Sequence, residues 1–81
     1  MARITIEVPT GVIGDIRGAL MRAGLGEAES TELAEVIIST TAVGFRDDKL
    51  VRSGIDVSLL VAELRGVGLI VHWSGAARLA T

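Results

Sequence analysis

Histidine is the side chain that ordinarily changes charge near neutral pH, and the chain holds a single one, His72, directly before its single tryptophan, Trp73, in "GLIVHWSGAARL". Nucleophilic catalysis needs an activated nucleophile, a base and a group that orients the base. With no cysteine and no tyrosine, His72 would have to be the base in every such scheme. Its serine candidates, Ser74 beside it and Ser53 or Ser58 farther off, stand in no nucleophile-elbow pattern. Asp47 and Asp48 could together hold a hard cation, but no further ligands follow them at calcium-loop spacing. The lack of thiolates also removes the thiolate kinds of zinc site and any disulfide. The glycine-rich stretches are weak as phosphate cradles: "GLGEAES" follows a helical pattern and lacks the last glycine of a dinucleotide fingerprint, and "GVGLIV" precedes its strand. The expectation is a protein that is not an enzyme, with no catalytic residue, no cofactor and no metal.

Whether His72 and Trp73 form a site depends on the elements that carry them. "LIVHW" reads as a strand, which puts Leu69, Val71 and Trp73 on one face and Ile70 and His72 on the other. If the first set faces the core, His72 points outward beside a turn at Ser74-Gly75. It is then a surface histidine beside a core or interface tryptophan, or else a ligand or catalytic group. A short last strand is expected in "AARLAT".

At the other end "RITIEV" alternates, with Ile4, Ile6 and Val8 on one face and Arg3, Thr5 and Glu7 on the other, and Pro9 ends it. Thr10 can cap a helix in which Val12, Ile16, Ala19, Leu20 and Ala23 recur at helical spacing, closed by Gly24. A second helix is expected from a cap at Ser30 or Thr31, with an acidic start and a stripe of Leu33, Val36, Ile37, Thr40 and Val43. Its centre, "VIISTTAV", is rich in β-branched residues, so strand is the alternative for the second half. "RDDKLVRSG" has no apolar period and reads as the main loop, with at most one helical turn. Asp56 then caps a helix with Val57, Leu60, Val61 and Leu64 on one stripe, ended by Gly66 and Gly68. The chain is therefore expected to be one α+β domain over residues 1–81, of order β-α-α-α-β(-β), with helices packed on one face of a small sheet formed by the N- and C-terminal strands.

Of the 81 residues, 49% are hydrophobic and 22% charged. A domain of this size buries only about 60% of the surface its unfolded chain exposes, so apolar side chains are in excess and a partner is expected to cover some of them. Self-association does this most simply, because every copy carries the same patch. A net charge of −2 speaks against a nucleic-acid coat but leaves room for a local basic patch. No apolar run approaches the ~18 residues of a membrane span and the first residues lack a signal-peptide core. A soluble, cytoplasmic protein without membrane partners is expected.

Two family resemblances add to this reading. Residues 57–79, "VSLLVAELRGVGLIVHWSGAARL", resemble the helix and β-hairpin of tubulysin-type N-terminal docking domains of nonribosomal peptide synthetases. In that family a helix of the "LLAELR" kind leads through a glycine into a strand, a glycine turn and a second strand containing "RL". The resemblance implies a hairpin that receives a short segment of a partner protein, and Leu69, Val71, Trp73 and Arg78 as partner-binding residues. The start of the chain, "RITIEVP" followed by two helices with "STELAEV" opening the second, is similar to ribbon-helix-helix repressors, whose N-terminal strand pairs across a dimer. That resemblance implies the alternative function, a dimeric DNA-binding repressor with Arg3 and Thr5 facing the major groove.

Overall fold

A computed structural model describes residues 3–11 and 13–74. Its element order is β1 (Arg3–Glu7), α1 (Ile16–Arg22), α2 (Glu27–Thr40), β2 (Ala42–Arg46), α3 (Asp48–Arg52), α4 (Val57–Gly66) and β3 (Ile70–Trp73). The strands form one antiparallel sheet in the order β2-β1-β3. The N- and C-terminal strands thus share a sheet, as their alternating patterns require. Ile4 and Ile6 of β1 are fully buried, and Val71 of β3 nearly so, on the face that the helices cover. Arg3, Thr5 and Glu7 stand on the opposite, open face together with Ile70 and His72. The fold is α+β, and among the described residues the helices lie on one side of the sheet.

The core forms where this covered face meets α1 and α4. Leu20, Leu60 and Leu64 are fully buried there, and the stripe Val57, Leu60, Val61 and Leu64 of α4 lies inward as its spacing demands. Asp56 caps α4, its Oδ1 accepting from the Leu59 N–H at 3.3 Å. After the helix Gly68 takes φ +103°, a conformation that costs a side-chain-bearing residue strain, and this reversal sends the chain into β3. No helix among the described residues is long and apolar enough to cross a membrane.

Several boundaries differ from the expected ones. The first helix starts at Ile16, capped by Asp15 through the Gly18 N–H at 3.0 Å, and not at Thr10; Val12 lies outside the described residues. The second starts at Glu27 behind Gly26, with no side-chain cap, and places Ser30 inside the helix and fully buried. It ends at Thr40. Thr41 adopts a left-handed φ of 59°, and its carbonyl accepts from the Val8 N–H at 2.8 Å. That reversal turns the chain into β2, an element the continuous-helix reading lacked, so Val43 belongs to the sheet. The expected loop holds the single helical turn α3. A last strand after residue 75 lies outside the described residues.

Candidate functional site

His72 projects from β3 onto the open face of the sheet, directly across from Thr5 of β1. Trp73 points the other way and is half-buried, and its Nε1–H donates to Asp47 Oδ2 at 2.8 Å. The two neighbours therefore belong to different faces. Ser74, the nucleophile candidate nearest His72, is engaged elsewhere: its hydroxyl accepts from the Arg3 N–H at 2.9 Å, and its own N–H donates to the Arg3 carbonyl at 3.1 Å. It fastens the ends of β1 and β3. An open depression of about 360 Å³ lies there, lined by Arg3, Thr5, Arg65, His72, Trp73 and Ser74. Of the two adjacent carboxylates, Asp47 accepts from Trp73 and Asp48 meets Arg52 at 3.5 Å, so they point to separate partners.

The residues that the docking resemblance selects do not form one exposed surface. Leu69 and Val71 are 4% and 3% exposed and belong to the core. Trp73 packs against that core, and Arg78 lies outside the described residues. What β3 can offer a partner is its backbone edge. Arg3 and Thr5, selected by the repressor resemblance, do face outward on the open sheet face. The strand that carries them is nevertheless the central one, bonded to β2 on one side and β3 on the other. Ribbon-helix-helix dimers need that strand free for a second copy, and here both of its edges are filled.

The phase of the sheet hydrogen bonds identifies which backbone groups remain free. The Ser74 N–H to Arg3 carbonyl bond fixes one hydrogen-bonded pair of the β1–β3 ladder. Alternation along an antiparallel pair then turns the N–H and C=O of Val71 and Trp73 away from β1, to the outer edge of β3. That edge is obstructed: Arg65, from the end of α4, donates to the Val71 carbonyl from Nε at 3.1 Å and Nη2 at 2.7 Å. A side chain that occupies the acceptor of an edge strand is one of the ways sheets avoid unwanted pairing.

On the other flank the Val8 N–H to Thr41 carbonyl bond sets the phase in the same way, and residues 42, 44 and 46 turn their backbone groups outward. Among the described residues nothing bonds to the outer edge of Ala42, Gly44 and Arg46. Beside this edge, on the helix side, lies an open groove of about 590 Å³ between α2, β2 and α3. Its apolar lining comes from Leu33, Val36, Phe45, Leu50 and Ile55, with Glu29 and Glu32 on the α2 side and Arg46 and Lys49 opposite. The helical reading of the second element hides this surface, because it runs the helix through residue 43 and makes "RDDKLVRSG" a loop; the strand alternative for its second half points towards β2 (Ala42–Arg46) but places the strand too early. The usable signal was the strand-like "TTAVGF". No protein-family model, curated protein or solved structure matches the chain.

Proposed function

We propose that the protein is a small non-catalytic interaction module that binds protein by strand addition at the β2 edge, with the adjoining apolar groove receiving side chains. The observation that carries this reading is the contrast between the two sheet edges. β3 has its outward carbonyl held by Arg65, whereas β2 turns alternate backbone groups outward beside an apolar groove, with no partner among the described residues. Main-chain hydrogen bonds at an open edge supply affinity and pockets beside the strand supply selectivity. The docking-domain resemblance supports the same class of activity, although it selects β3 as the receiving strand. The separation of His72, Ser74 and the two aspartates onto different duties supports a role without catalysis.

The test is to close the edge. Proline at position 44 takes the place of an N–H that the β1–β2 ladder does not use. Its Cβ would meet Arg3 Nη2 at 2.9 Å and Thr5 Cγ2 at 3.2 Å; the exposed Arg3 side chain can turn aside, so Gly44→Pro should keep the sheet at some cost in stability while its ring obstructs an incoming strand. Association, whether with itself in solution or with a protein captured from the native host, should be present for the wild type and lost in Gly44→Pro, with the far-ultraviolet spectrum retained. Association that is equal in both, or none by the wild type, would sink this reading.

A further inference from the structure

We infer that the occupant of the β2 edge is β2 of a second copy of this chain, paired antiparallel about a two-fold axis through Gly44; the inference rests on the edge-binding reading just given. β2 has five residues, Ala42–Arg46, with Gly44 at its centre. Its outward-directed groups belong to residues 42, 44 and 46, so self-pairing about Gly44 sets Gly44 against Gly44 and Ala42 against Arg46 of the other copy, all three pairs in hydrogen-bonding phase. An isologous contact needs this self-complementarity. On the helix side Val43 falls opposite Phe45 of the second copy, which continues the half-buried apolar row across the junction.

The charges on the open face point to the same arrangement. Within one copy Arg3 stands directly across from Arg46, and Glu7 across from Ala42 at the far end of the strands. Like charges directly opposite each other disfavour pairing, and among the described residues neither Glu7 nor Arg46 has an ion-pair partner. Self-pairing about Gly44 extends one row of the sheet from Glu7 through Ala42 to Arg46 of the second copy. Neighbouring strands lie about 4.8 Å apart, so Glu7 and that Arg46 are separated by about two strand spacings, or about 10 Å between backbones. Only the methyl group of Ala42 stands between them, and two long side chains close that gap. The symmetry forms the pair twice. One contact opposes association: Arg3 lies over Gly44, where a Cβ would meet its Nη2 at 2.9 Å, so the two Arg3 side chains approach each other near the axis. Both are exposed and long enough to turn away.

The decisive experiment uses two single charge reversals and their mixture, followed by sedimentation equilibrium of the full chain over a range of concentrations. Wild type should be a dimer that dissociates on dilution. Glu7→Arg and Arg46→Glu should each weaken it, because each places two like-charged pairs across the axis, by about tenfold or more in dissociation constant. An equimolar mixture of the two variants should restore a dimer of near wild-type affinity, since a heterodimer of them makes both pairs complementary. Failure of the mixture to recover the dimer would overturn the inference, as would a dimer indifferent to both reversals or a wild type monomeric throughout. A monomeric wild type that still captures a host protein at an edge blocked by Gly44→Pro would overturn this inference alone and leave the edge-binding reading standing.

Discussion

Trp73 does two jobs that its sequence neighbours cannot. Its ring covers the end of the core, and its Nε1–H reaches Asp47, a carboxylate only 8% exposed that follows β2. The bond ties the end of β3 to the end of β2 from beneath the central strand. A hydrogen bond to a charged group contributes more than a neutral one, and a nearly buried carboxylate deprived of its donor retains its desolvation cost. Trp73→Phe keeps most of the packing and removes the donor. It should lower the unfolding free energy by about 2 kcal/mol, read as a reduced urea midpoint at unchanged slope. Asp47→Asn keeps an acceptor oxygen and should cost less. If Trp73→Phe costs as much in an Asp47→Ala background as in the wild type, the loss comes from packing and not from the bond. The tryptophan's inward orientation was legible from strand alternation, but its partner was not. Asp47 comes from 26 positions earlier in the chain, and no local pattern marks a contact set by the sheet order.

Among the elements, those with strong patterns were readable and those decided by tertiary contacts were not. The alternation in "RITIE" and the stripe of α4 behind Asp56 each follow from spacing that only one element type satisfies. The passage from α2 to β2 turns instead on Thr41 in a left-handed conformation, a place where glycine or asparagine is the usual signal. Thr40 also gives its hydroxyl to the Val36 carbonyl at 2.6 Å, which fits a helix end without requiring one. The β-branched run therefore offers strand as an alternative without marking where the helix stops, and neither the bounds of β2 nor its open edge can be read from it. The control of the opposite edge is also hidden, although Arg65 stands only 6 positions before Val71, because Arg65 reads in sequence as a basic residue in the last turn of a helix. Arg65→Met keeps much of the aliphatic stem and deletes both donors. It should cost about 1 kcal/mol of stability, since the side chain is exposed and water replaces part of the bond. The larger effect concerns assembly. With β3 unobstructed each copy presents two edges, and association no longer closes at a pair. The molar mass read by light scattering should keep climbing with concentration in Arg65→Met and level off at the dimer in the wild type. Scattering that stays at the wild-type level would mean that Arg65 is not what protects the edge.

At the scale of the whole molecule, the described residues of this 81-residue chain form a one-sided sandwich, in which they leave the sheet's second face and one of its edges uncovered. A domain this small has limited stability by itself, so an association that occurs only in the folded state should be visible in its melting behaviour. Above the dissociation constant of a two-fold dimer, each tenfold rise in concentration adds about 0.7 kcal/mol per chain, worth about 3–6 °C for a domain of this length. The Arg46→Glu variant separates this effect from ordinary stability, because the substitution acts with opposite signs on the two. Inside one copy it replaces the Arg3–Arg46 opposition with an attractive cross-strand pair, which should stabilise the monomer by a few tenths of a kcal/mol. Across the axis it sets glutamate against Glu7 of the other copy and moves the concentration dependence to concentrations about tenfold or more higher. Calorimetry at a low and a high protein concentration should therefore give crossing results, the variant melting at or above the wild type when dilute and below it when concentrated. If the variant melts below the wild type by the same margin at both concentrations, Arg46 supports the fold of the single chain and has no part in an association.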